Sequence, residues 1–132
     1  MVTPTMRTRF NPVAIEELLH STGGMVGRDL VKRCIRVHQV AVATAPEKSG
    51  NLKRKLRWDI TVGVTGLIGL VGAKDVPYFQ YVIDGTRPHR IEAKDKQALY
   101  WPGAIHPVKS VNHPGTRPND FLVRAMRSAI LF

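Results

Sequence analysis

The stretch Leu56-Arg57-Trp58-Asp59-Ile60-Thr61-Val62 decides the fold class, because its apolar residues fall at every second position with polar residues between them. That two-residue period is what a strand with one buried face requires. Immediately upstream the period is different. From Met25 to Ala45, the residues Leu30, Cys34, Val37, His38, Ala41 and Ala45 recur at intervals of three and four, which lines them along one side of a helix. Pro46 and Gly50 stop that helix, and Arg28, Lys32, Arg33 and Arg36 lie outside the stripe, so its outer face is basic. A long helix giving way to an alternating strand predicts a helix lying on a sheet.

Downstream, Leu67 to Val71 and Tyr78 to Ile83 read as further strands separated by turn signals, which makes sequential antiparallel pairing the simplest topology. Glycine recurs at every third position from Gly63 through Gly66 and Gly69 to Gly72, a pattern suited to turns or to close backbone approach. Asp84 to Arg117 is loop-rich, with Pro88, Pro102, Pro107 and Pro114, and short extended pieces are expected at Arg90 to Ala93 and Ala98 to Trp101. Upstream of the long helix, Asn11 followed by Pro12 starts a short one, since Asn caps free amides and Pro at the first helical position loses no needed donor. Val13, Ile15, Leu18 and Leu19 give it an apolar side for packing. A last helix begins near Asp120, with Leu122, Ala125, Met126, Ala129 and Ile130 at helical spacing, and Leu131 and Phe132 form an apolar tail. The expected fold is α+β: an antiparallel sheet packed against a long helix in the N-terminal half and a C-terminal helix, with a long loop excursion. The 132 residues are read as one domain, 1–132, in which 1–10 form a flexible arm.

Twenty Lys and Arg against ten Asp and Glu give a formal charge of +10, so an acidic partner is expected. Lys48, Lys53, Arg54, Lys55 and Arg57 fall within ten residues that hold no acid, and this is the strongest candidate binding cluster; the same run also fits a solvated loop. The single cysteine, Cys34, sits on the helix stripe with no second thiol, which points to a reducing compartment. No apolar run reaches the ~20 residues that span a bilayer, and a cytosolic product with no membrane partner is expected.

Catalytic chemistry finds little purchase. Ser49, Ser110 and Cys34 lie in no nucleophile turn, and Asp75, Asp84, Glu92 and Asp95 show no metal-holding pattern. His89, His106 and His113 share the loop-rich segment without the paired spacing of a zinc site. The sequence predicts no enzyme, no cofactor and no metal.

Three ordered segments carry a resemblance: Ala45-Pro46-Glu47-Lys48-Ser49-Gly50-Asn51-Leu52-Lys53, Tyr78-Phe79-Gln80-Tyr81-Val82-Ile83-Asp84-Gly85-Thr86 and Arg117-Pro118-Asn119-Asp120-Phe121-Leu122. In this order they resemble the neck and tail-completion proteins that join head to tail in tailed bacteriophages, over most of residues 12 to 130. The family often has an acidic or small residue where Lys48 stands, and Ser where Lys55 or Leu56 stands. The resemblance implies a homo-oligomeric ring, usually a hexamer, between head-closure or connector proteins and the tail terminator or tail tube, around the channel for genomic DNA. It implies a virion protein made in the host bacterial cytoplasm. On that reading Lys48, Lys53, Arg54, Lys55 and Arg57 face the DNA channel or a partner, and Trp101, His106, Lys109 and His113 form an inter-subunit or neck contact loop. The alternative is a soluble basic nucleic-acid-binding protein with no virion role, in which Trp58 or Tyr100 stacks on bases.

Overall fold

A computed structural model describes residues 3–47 and 50–130, and the chain is mixed α+β. It forms two compact units, one taking in the chain up to Asp75 and again from Phe121, the other spanning Val76–Asp120. Thr3 to Phe10 are exposed and without regular structure. No helix among the described residues is long and apolar enough to cross a membrane.

In the first unit, α1 (Pro12–His20) begins where the sequence places it, with the Asn11 Oδ1 accepting from the Val13 and Ala14 amides at 3.1 and 3.4 Å. Unlike the expected packing helix, α1 buries none of its residues. The long α2 (Met25–Thr44) does carry the core stripe, with Gly27, Cys34, Val37 and Ala41 buried along it. After the Pro46 break, the five-residue α3 (Asn51–Lys55) buries Leu52 and leads straight into β1 (Leu56–Val62). That strand turns back into β2 (Leu67–Ala73), antiparallel, in a register that sets Leu56 opposite Ala73 and Trp58 opposite Val71. The last helix, α5 (Phe121–Ile130), packs on α2 with Phe121, Ala125 and Ala129 buried.

One glycine of the periodic series explains how α2 reaches the hairpin. A Cβ at Gly69 would run into the Cys34 Sγ, so helix and strand meet there because the glycine has no side chain. His38 fastens the same junction, its Nε2 donating to the Leu56 carbonyl oxygen at 3.0 Å.

The second unit corrects one expectation. Tyr78 to Ile83, read above as a strand, belongs instead to a helix, α4 (Phe79–Asp84). Its β-branched and aromatic residues favour strands, but Pro77 and Gly85 bracket the segment as helix start and stop signals. Phe79, Val82 and Ile83, at helical spacing, are the residues half-withdrawn from solvent. Beyond Gly85, β3 (His89–Glu92) pairs antiparallel with β4 (Ser110–His113), so the described residues form two small two-stranded sheets rather than one larger one. Isolated bridges extend this ribbon at both ends, Thr86 with Thr116 and Leu99 with Val108. The Asn119 amide donates to the Val82 carbonyl at 3.1 Å and ties the end of the unit back to α4.

Candidate interaction surfaces

Of the predicted basic cluster, Lys53, Arg54 and Lys55 stand on α3 and Arg57 on β1, while Lys48 lies outside the described residues. The cluster is less of an open cationic stripe than its sequence suggests. Lys53 Nζ donates to the Glu47 Oε2 at 2.9 Å, and this hydrogen-bonded cation holds the Glu47 carboxyl below its ordinary pKa. Lys55 Nζ donates to the Asp75 carbonyl at 3.1 Å, and one Arg57 nitrogen donates to the Arg54 and Leu56 carbonyls at 2.6 and 2.8 Å. Arg54 is exposed. Glu47 sits just outside the acid-free run, and α3 brings it back over the cluster. A sequence window cannot show that return.

Cations also do structural work on α2. Arg33 reaches Asp29 one turn back at 2.8 Å and donates to the Ala129 carbonyl at 3.2 Å, placing positive charge at the C-terminal turn of α5, where the helix dipole favours it. That contact joins residues 96 apart in sequence and left no local signal.

The expected contact loop divides in two. The Leu99–Val108 bridge closes a loop that carries Trp101 and His106, with Lys109 directly beside its base. Trp101 accepts from the Ala104 amide at 2.9 Å in a turn, and Tyr100, Trp101 and Ile105 are exposed at this tip, Ile105 at 98%. His113 stands elsewhere, in register with His89 across the β3–β4 ladder, the two ring centroids 5.1 Å apart. His89 was not among the expected contact residues, because cross-strand register is invisible until the ribbon forms.

These two imidazoles do not make a metal centre. The His89 Nδ1 donates to the Arg87 carbonyl at 2.8 Å, which leaves its Nε2 lone pair free. The His113 Nδ1 instead accepts from the Gly115 amide at 3.1 Å, which sets its proton on Nε2. The pair therefore offers one free lone pair. Among the described residues no three His, Cys, Asp or Glu side chains converge as metal ligands.

In the first unit a cavity of about 200 Å³ lies between α2, β2 and α5, lined by Leu30, Arg33, Cys34, Val37, Gly69, Val71, Leu122, Met126 and Ala129. Its lining is mainly apolar, and burial raises the pKa of the Cys34 thiol above its ordinary value, which disfavours the nucleophilic thiolate. Compared with protein-family models, curated proteins and solved structures, the chain matches none.

Proposed function

We propose that this protein is a structural component of a tailed-phage particle, one subunit of a ring at the head–tail junction around the DNA channel. The observation that carries the reading is the ordered set of three segments, and their positions in the fold suit an assembly protein. Ala45 to Glu47 follow the end of α2 and Gly50 to Lys53 open α3, Tyr78 to Thr86 contain α4 and its closing glycine, and Arg117 to Leu122 lead into α5. Leu52 and Phe121, from the first and last segments, are core residues. Such residues specify a shape rather than a reaction.

The surfaces described above supply contacts for that role. Tyr100, Trp101 and Ile105 form an exposed apolar tip, with Lys109 at the base of the loop, suited to a neighbouring protein. Lys53, Arg54, Lys55 and Arg57 meet the channel or an acidic partner through screened attraction. The decisive experiment is mass spectrometry of purified particles, paired with negative-stain imaging after deletion of the gene. The protein is expected in the particle, and its loss is expected to leave full heads apart from tails. Its absence from particles that assemble normally would overturn the reading and favour a free nucleic-acid-binding protein, whose affinity falls steeply with salt.

A further inference from the structure

The β1–β2 hairpin has two outer edges, and no strand of the described residues pairs with either. Its two strands are equal in length but not in character. β1 carries Arg57 and Asp59 and follows directly on the cations of α3. Charges of this kind discourage strands from adding to an edge. β2 reads Leu-Ile-Gly-Leu-Val-Gly-Ala, with no charge and no proline in seven residues, and it exposes Ile68 and Leu70 to 46% and 52%. In a chain of net charge +10 it forms a neutral, apolar edge, where another copy can approach without meeting like charge.

Which main-chain groups that edge presents follows from the hairpin turn. The Gly63 amide donates to the Gly66 carbonyl at 2.7 Å, so these two residues occupy a hydrogen-bonded position of the ladder. Bonding alternates along an antiparallel pair. Ile68, Leu70 and Gly72 therefore turn their amides and carbonyls toward β1, and Leu67, Gly69, Val71 and Ala73 turn theirs outward. The outward set is self-complementary about Leu70. In an antiparallel pair of β2 strands centred there, Gly69 bonds to Val71 of the second copy and Leu67 to Ala73 of the second copy, so all four outward residues find partners. Leu70 then lies directly opposite Leu70 of the second copy, at a position without main-chain bonds, where side chains approach most closely.

We propose that β2 is a homodimerisation edge: two copies join β2 to β2 about a twofold axis at Leu70, making a four-stranded antiparallel sheet in the order β1-β2-β2-β1. The interface is isologous, so it is not the repeated head-to-tail contact of the proposed ring and describes the free protein in solution. Added salt tightens it, because screening lowers the repulsion between two chains of net charge +10.

The test uses the full chain in solution, with mass measured by light scattering and folding checked by circular dichroism. The wild-type protein is expected to be a dimer whose dissociation constant falls as salt is raised. Leu70→Lys and Leu70→Glu each place like charge across the axis, and each is expected to weaken the dimer about tenfold or more while the monomer stays folded. Mixing the two variants is expected to restore dimers, which a merely misfolded variant cannot do. In a Cys34→Ser background, Leu70→Cys is expected to form a disulfide across the axis under mild oxidation, and Ile68→Cys, set opposite Gly72, is not. A monomeric wild type, a larger closed ring without Leu70→Cys cross-linking, or equal cross-linking by both cysteine variants would each overturn the proposal. None of these results bears on whether the protein is found in particles.

Discussion

The molecule holds two antiparallel ribbons that are kept in shape by different means. The β1–β2 hairpin has a core behind it: helices α2 and α5 are packed together, α2 is also packed on both strands, and Cys34, Val37, Ala41, Leu56, Phe121, Ala125 and Ala129 are all buried in that unit. The β3–β4 ribbon belongs to a unit in which Val76 is the buried hydrophobic residue among those described. Polar contacts hold this ribbon. Thr86 and Thr116 exchange main-chain bonds at 3.0 Å and share a side-chain bond of the same length, and Arg90 reaches both Ser110, at 2.9 Å, and Glu92, at 3.2 Å. Burial of apolar area and satisfaction of polar groups are separate ways to order a strand pair, and they fail differently when a residue is changed.

The largest effect is expected in the buried unit. Phe121 is fully buried, and Phe121→Ala removes its contacts and leaves a cavity, at a cost of about 3–5 kcal/mol in a denaturant titration. If the two ribbons differ as described, the hairpin amides lose hydrogen-exchange protection more than those of the β3–β4 ribbon. Next comes Gly115→Ala. Gly115 holds φ at +83°, and a Cβ there would strike the Thr86 carbonyl oxygen, so the change should cost about 1–3 kcal/mol and loosen the Thr86–Thr116 end of the ribbon. Limited proteolysis between Thr86 and Thr116 would show it. Thr86→Val should do less, about 1 kcal/mol, by removing the hydroxyl that accepts from the Thr116 amide and bonds the Thr116 hydroxyl, each at 3.0 Å.

The smallest effect concerns α1. Both ring nitrogens of His20 face carbonyl oxygens, Glu16 at 2.9 Å and Val64 at 3.3 Å, and a carbonyl oxygen can only accept. The two bonds are made together by the protonated ring, and its pKa is raised above 6.5, chiefly by the Glu16 bond and then by the Val64 bond. Because the folded value lies above the unfolded one, the contribution is fully present below the unfolded pKa and is lost as pH rises through the folded value. Protection of the α1 amides, corrected for intrinsic exchange, should fall across that interval, and His20→Gln should abolish the dependence.

Legibility in the sequence followed the range of the interactions. Helix α1, with its Asn11-Pro12 start, the stripe of α2, the strand β1 and the helix α5 are set by residues a few positions apart and form where the patterns predict them. The alternation of β1 does not bury a full face, however: Leu56 is buried and Ile60 half-buried, while Trp58 and Val62 are exposed. The α4 segment was legible too, through Pro77, Gly85 and the Phe79-Val82-Ile83 spacing, but strand propensity spoke louder than those signals. The candidate contact residues were located less well. Lys53, Lys55 and Arg57 are half-committed to neighbours, and His113 answers to His89 rather than to Trp101 and His106.

By itself, then, the sequence determined the composition of the surfaces: a net positive chain, a neutral β2, an aromatic loop and a helix stripe with one thiol. Only tertiary structure decided which of these groups meet. Glu47 reaches Lys53 once α3 has formed, Arg33 caps a helix 96 residues downstream, and the outward groups of β2 are identified by one hydrogen bond in a turn. The physical reason is that helical and strand periods are properties of a local stretch of chain. Charge pairing and strand register depend instead on distances that exist only after the chain has closed its long loops.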